Sequence, residues 1–246
     1  MQQTPPGAVS AVASLDEPSR RLIYDYVCAH DAPVSREDVA AALGVPRRAA
    51  AFHLDRLAEC GLLAISFARR TGRSGPGAGR PAKLYGRSDR EVSISLPSRH
   101  YDLAGRLLAG ALVEAERSGE PPRDVLDRQA HDFGMAAACE GRGAAAAEPA
   151  VEPLSREPRT QDSAVLMAVL ADHGYEPQEA RGDIVLRNCP FHALAQQHTE
   201  LVCAMNLHLL EGVLDGLDPI GLQACLDPGP SRCCVRLARD RGADVT

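Results

Sequence analysis

Two short apolar stripes of helical period, each stopped by a glycine, restrict this chain more sharply than anything else in it. In VSREDVAAALGV, Ser35 suits an N-cap and Asp38, three residues on, can answer it as a capping box. Val39, Ala42 and Leu43 then give the stripe, and Gly44 ends it. In PRRAAAFHLDRLAECGL, Pro46 suits a first turn, Ala50, Leu54 and Leu57 fall at helical spacing, and Gly61 terminates. Two helices joined by a tight Gly-containing turn make a helix-turn-helix. Arg47, Arg48, Ala51, Phe52 and Arg56 lie off the core stripe of its second helix.

After Gly61 the period falls to two in LLAISFARR, which reads as a strand. The loop TGRSGPGAGRP follows, and AKLYGR returns as a second strand, so a basic hairpin, or wing, trails the second helix. Between Arg47 and Arg90 stand ten Lys/Arg against Asp55, Glu59 and Asp89, a local net of +7 in a chain whose total is −6. Concentrated positive charge on an acidic chain is the footprint of a face that neutralises phosphate. The partner expected is double-stranded DNA, an operator. Arg47, Arg48, Ala51, Phe52, His53 and Arg56 are the candidates for the major groove, and Arg69, Arg70, Arg73, Arg80 and Lys83 for the backbone or minor groove.

SREDVAAALGVPRRAAAFHLDRLAECGLL followed by GRPAKLY resembles the winged helix of bacterial ArsR-like transcriptional regulators, over roughly Glu17 to Arg90. The resemblance implies a DNA-binding regulator rather than an enzyme. Pro46 stands where those families place a Ser or Thr that caps the recognition helix.

The remaining chain reads in blocks. Residues 1–15 are expected to be disordered and 16–92 to form the winged helix-turn-helix, its first helix Glu17–His30 carrying Leu22, Ile23, Tyr26 and Val27 on one face. Over 97–140 two helical patterns follow, the first with Tyr101, Ala104, Leu107, Leu108, Ala111, Leu112 and Ala115, the second with Val125, Leu126, Ala130, Phe133 and Ala137. Such operators are read by two-fold dimers, so this helix pair is expected to be a dimerisation region and the protein a homodimer. GRGAAAAEPAVEPLSREP marks a Pro/Ala/Glu linker over 141–160. Residues 161–240 alternate helical and strand signals and read as a small α+β effector domain. The fold class is therefore α+β, with an N-terminal winged helix-turn-helix, central dimerisation helices and a small C-terminal α+β domain. No apolar run reaches the roughly 18–20 residues that cross a bilayer. The N-terminal stretch lacks a basic region followed by an apolar one, so the expected location is the cytoplasm and no membrane partner is expected.

Of eight cysteines, five crowd into Cys189–Cys234, with His192, His198 and His208 in the same region. A reducing compartment argues against a disulfide framework, and thiolates bind soft metals, zinc or iron–sulfur clusters foremost. Strand alternation puts Cys233 on the side of Val235 and Leu237, and Cys234 with Arg236. The bland reading is that these thiols only fill a core. Cys189 and His192 could also be a nucleophile and base, although no orienting Asn or Asp stands at a recognisable spacing.

The NCPF…LA…LVC string and the RC pair before the last strand resemble the effector domain of SufR-type regulators, iron–sulfur-binding members of the same superfamily. That resemblance implies cluster ligands at Cys189, Cys203 and Cys233, with Cys225, Cys234 or His208 as the fourth, and a repressor that responds to iron–sulfur or redox status. The alternative is a regulator of the same architecture that senses zinc or a small organic ligand, its cysteines structural.

Replacing Arg47 and Arg48 with Ala is expected to abolish specific operator binding; an unchanged gel shift would remove these side chains from the interface.

Overall fold

The computed structural model describes residues 7–68, 81–147, 158–217, 221–229 and 232–239. The chain divides into two compact units, residues 3–94 and residues 95–246.

The first unit holds α1 (Ala8–Ser14), α2 (Pro18–Cys28), β1 (Val34–Ser35), α3 (Arg36–Leu43), α4 (Arg47–Glu59), β2 (Leu63–Ala68) and β3 (Ala82–Arg87). The capping box forms: Asp38 N–H donates to Ser35 Oγ at 3.3 Å, and Ser35 N–H donates back to Asp38 Oδ2 at 2.9 Å. Gly44 closes α3 in the left-handed conformation, φ 66°, which no β-carbon favours. Helix α4 begins at Pro46 with no side-chain cap, as the replacement of Ser or Thr there requires. Its Ala50, Leu54 and Leu57 are fully buried against Ile23, Val27, Val39 and Tyr85. Strands β2 and β3 pair antiparallel from Leu63↔Arg87 to Ala68↔Ala82, and β1 adds to β3, giving the order β1-β3-β2.

Two expectations for this unit are corrected. Residues 8–14 form α1 instead of being disordered. Ala8 and Ala11 are fully buried, and side chains this small let the helix lie against α4 although they carry little periodic signal. Leu22, placed with Ile23 and Val27 on one face of α2, is instead half-exposed, because a step of about 100° per residue carries it off their stripe.

The second unit holds α5 (Tyr101–Ser118), α6 (Pro122–Ala147), α7 (Pro158–Asp172), β4 (Pro177–Ala180), β5 (Asp183–Leu186), α8 (His192–Gln197), α9 (Thr199–Asp215), β6 (Leu222–Leu226) and β7 (Val235–Arg239). Its sheet is antiparallel in the order β4-β5-β7-β6, with the β4–β5 hairpin turning at Arg181-Gly182. Ile184, Leu186, Val235 and Leu237 point from the sheet into a core shared with all the longer helices. Helix α9 packs against α6 on one side and meets β6 and β7.

Helices α6 and α9 touch backbone to backbone. A β-carbon at Gly134 would stand 2.0 Å from the Leu209 carbonyl oxygen, and one at Gly212 would stand 2.0 Å from that of His131. Glycine at both positions is the condition for the crossing.

This packing corrects the expected layout in three places. The helices of 97–140 do not form a layer apart from the C-terminal domain: Leu103, Ala104, Leu107, Ala111 and Ala115 are buried in the same core as the C-terminal sheet. The linker does not begin at 141, because α6 continues through the alanines to Ala147, good helix formers that propagate it. Gly141 lies close against α7, where a β-carbon would come within 2.5 Å of Val169. The strand alternation read through Cys233 and Cys234 does not extend to them, since pairing starts at Val235.

Gly134→Ala is expected to destabilise this unit by about 1–3 kcal/mol in urea unfolding, because a backbone carbonyl cannot give way as a flexible side chain would. Gly105→Ala on α5, where an added β-carbon meets nothing within 4 Å, should be neutral or slightly stabilising.

Candidate nucleic-acid interface and thiol cluster

Helix α4 presents Arg47, Arg48, Phe52 and Arg56 to solvent, Phe52 at 65% exposure, and Ala51 lies half-buried beside them. Several of these cations are already paired. Arg47 forms an ion pair with Glu37 of α3, and Arg56 donates to Glu59 at 3.1 Å. Hydrogen bonding by Arg36 and Arg47 outweighs the partial burial of Glu37 and pulls its carboxyl down to about 2. His53 turns inward: its Nδ1 stands 3.5 Å from Glu17 Oε2, the carboxylate that caps α2 through Ser19 and Arg20 N–H. Arg69, Arg70, Arg73 and Arg80 lie outside the described residues.

Lys83 points from the wing strand to the recognition helix, its Nζ donating to Asp55 Oδ1 at 2.5 Å. The buried Tyr85 donates its hydroxyl to the same oxygen at 2.6 Å, with Lys83 Nζ 5.3 Å from its ring centre. Asp55 thus joins α4 to β3. Burial works to raise its pKa, and the hydrogen bonds from Lys83 and Tyr85 prevail and hold it below the ordinary carboxylate value. No sequence signal marks a partnership across so many intervening residues. Sequence reasoning also passed over Ile65 and Phe67, exposed at 44% and 67% on β2, though their alternation in LAISFA was the signal available.

In the second unit, four thiols come close enough to perturb one another's ionisation. Cys189 follows β5, Cys203 is on α9, and Cys233 and Cys234 lead into β7. Cys189, Cys203 and Cys233 are buried at 6%, 7% and 1% exposure, and Cys234 is half-buried. The Cys189 thiol is pushed far up by Cys233 and by burial. The Cys189 contact pulls Cys233 down, but Cys234 and burial together push it up to about 12. Burial raises Cys203, against a smaller downward pull from Cys234. These pairings run from Cys189 through Cys233 and Cys234 to Cys203.

The other two candidates for a fourth donor are engaged elsewhere. Cys225 donates to the Arg236 carbonyl at 3.3 Å, and the His208 Nδ1 lies 2.7 Å from Glu211 with Nε2 3.6 Å from Asp127. Cys189 is buried while His192 is exposed. Four sulfurs are the number that zinc and iron–sulfur clusters take, so the donor chemistry fits a soft metal. As they stand the sulfurs meet pairwise, Cys189 with Cys233, Cys233 with Cys234 and Cys234 with Cys203, and among the described residues no three His, Cys, Asp or Glu side chains are arranged to hold a metal ion.

Two buried polar side chains support this cluster. Asn206, 1% exposed on α9, donates Nδ2–H to Cys233 Sγ at 3.1 Å and accepts the Tyr175 hydroxyl at 2.6 Å. Asn188 precedes Cys189 and donates to the Gly174 and Ser98 carbonyls at 2.6 and 2.9 Å, while Arg99 donates to its side-chain oxygen. Buried amides without such partners would each cost on the order of 1–3 kcal/mol, so both are held in one orientation.

Residues 15–65, well under half of the chain, match the family model of a helix-turn-helix domain. No curated protein and no solved structure matches the chain. The domain is consistent with ArsR-like winged-helix regulators and supports a DNA-binding transcriptional regulator rather than an enzyme. Among the described residues no helix is long and apolar enough to cross a membrane.

Asp55, lowered in the folded state, contributes stability that is fully present above its unfolded pKa near 3.9 and lost as pH falls through its folded value. The stability difference between wild type and Asp55→Asn is therefore expected to be largest near neutrality and to shrink below about pH 4, as read by urea unfolding across pH.

Proposed function

We propose that the chain is a dimeric, cytoplasmic transcriptional repressor of the SufR-type ArsR-like class, whose 95–246 unit reports iron–sulfur or redox status to its helix-turn-helix. The observation that carries this reading is the neighbouring of four thiols in the same chain as a helix-turn-helix domain.

Helix α4 would enter the major groove with Arg47, Arg48, Ala51, Phe52 and Arg56 toward base edges, and the basic loop of the wing would track phosphate. The pairing of Arg47 with Glu37 does not oppose this. Exposed ion pairs contribute about 0–1 kcal/mol, and a phosphate fork is a stronger partner for the same guanidinium. His53 and Lys83 would reach DNA only by giving up Glu17 and Asp55, which makes them secondary contacts. Dimerisation draws on the outward side of α5, where Gly105, Ala109, Leu112 and Val113 remain exposed beside the buried stripe.

Cys189, Cys203, Cys233 and Cys234 would have to draw together to hold the soft metal group, which would then supply a link between the β5 loop, α9 and the β7 lead that oxidants or metal loss could undo. In the metal-free state the raised pKa values keep Cys189 and Cys233 protonated at neutral pH, so loading must release protons. Tyr175 and Asn206 hold Cys233 toward that set, and Arg99 and Asn188 hold the Cys189 loop.

Anaerobic purification followed by operator titration tests the reading. Brown protein containing iron and sulfide, with DNA affinity that differs from its metal-free form, is the expected result. Colourless protein with stoichiometric zinc would support the zinc alternative. Affinity indifferent to loading would leave the thiols structural. In every case log K should fall linearly with log salt, by about 0.9 per phosphate neutralised.

A further inference from the structure

The segment by which the chain enters the second unit is fastened directly to the loop that carries Cys189. His100 N–H donates to the Pro190 carbonyl at 3.1 Å. Arg99 Nη1 donates to the Cys189 carbonyl at 3.0 Å and also to the side-chain oxygen of Asn188. Asn188 returns a bond to the Ser98 carbonyl at 2.9 Å, and the Tyr101 hydroxyl accepts Ala193 N–H at 3.3 Å. Residues 98–101 are therefore sewn to residues 188–193 from both sides.

Position in the chain gives this seam its consequence. Residues 3–94 form the unit with the helix-turn-helix, and residues 95 onward belong to the thiol-bearing unit. Ser98–Tyr101 is thus the first anchored backbone after the winged helix, and it is also the start of α5, which supplies the exposed face invoked for dimerisation. Burial makes the fastening specific. Asn188 is 6% exposed, and losing the Arg99 donor would leave its amide oxygen short of a partner inside the protein.

We propose that Arg99 is a positioning residue that couples the state of the Cys189 loop to the chain leading out of the DNA-binding unit. This inference rests on the sensing reading given above. A ligand can shift a conformational equilibrium only as far as it binds the two states differently. The carbonyl that Arg99 holds belongs to Cys189 itself, so a backbone movement that brings this thiol toward a ligand moves the acceptor. The guanidinium carries that movement to Ser98 and through it to the start of α5. Both bonds come from the one nitrogen Nη1, so a lysine ammonium keeps the donors but carries them on a shorter stem.

The test compares wild type with Arg99→Ala and Arg99→Lys, each metal-free and reconstituted anaerobically with ferrous iron and sulfide. Operator affinity, iron content and hydrogen exchange of the peptide spanning residues 98–104 are followed together. In wild type, loading is expected to shift affinity by about tenfold, within the usual range of coupling between sites, and to alter exchange at the His100 amide. Arg99→Ala should take up the same iron yet shift affinity less than about twofold, with exchange already fast before loading. Arg99→Lys, which keeps the donors on a shorter stem, should fall between Ala and wild type, and it serves as the working variant if the alanine form does not fold. A variant that loads fully and keeps the wild-type shift overturns the inference while the sensing reading stands. Wild type that takes up no iron, or whose affinity ignores it, overturns both.

Discussion

The backbone contact between α6 and α9 is the constraint on which the second unit depends. Gly212 and Gly216 lie on the side of α9 that also carries Met205 and Leu209, where Gly212 meets the His131 backbone of α6 and Gly216 meets the Met135 backbone and the small Ala138 side chain. Because α9 is held so close on that side, positions one or two residues away from that set, roughly 100–200° around the helix, face elsewhere. Cys203 and Asn206 fall there, toward the strands and loops that bring Cys233 and Tyr175. One set of glycines thereby decides which residues of the helix are left to do chemistry. The core that results is continuous from α5 to β7, so the central helices and the thiol-bearing sheet cannot behave as separately folded parts.

In the first unit the corresponding device is a single carboxylate. Asp55 takes bonds from Lys83 and Tyr85 and so ties α4 to β3. It also consumes one of the cations that a count of charges would assign to DNA. The magnitudes decide how much this matters. Exposed pairs such as Arg47 with Glu37 contribute about 0–1 kcal/mol and exchange readily for phosphate, whereas Tyr85 is buried and its bond is not exposed to that exchange. A local net charge of +7 therefore overstates the cations immediately at hand but not those that a duplex can recruit.

The thiol cluster combines neutral sulfurs with two fully engaged amides. Cys189 is held protonated by Cys233 and by burial, and Cys233 by Cys234 and by burial against a downward pull from Cys189, which makes both poor nucleophiles. The amides supply geometry: Asn206 fixes one sulfur, and Asn188 fixes the turn that presents another. Polar groups inside a core specify one arrangement among many, since any other leaves a donor or acceptor without a partner.

What the sequence determined by itself is local. The Ser35–Asp38 capping box, the Gly44 stop, the buried triplet Ala50, Leu54 and Leu57 and the Arg181-Gly182 turn all follow from residues within a turn or two of each other. Neighbouring residues share a period, and the period is written in the chain. The structure decided what depends on distant partners: that Cys234 rather than Cys225 or His208 neighbours the other thiols, that His53 turns to Glu17, that Asp55 meets Tyr85, and that Leu103, Ala104, Leu107, Ala111 and Ala115 of α5 are buried in the core of their own unit while Leu112 stays exposed. It also placed a helix at 8–14, where alanines too small to show a pattern still pack. Those outcomes turn on which surfaces approach closely enough to bury each other, and that is a property of the folded chain rather than of any window along it.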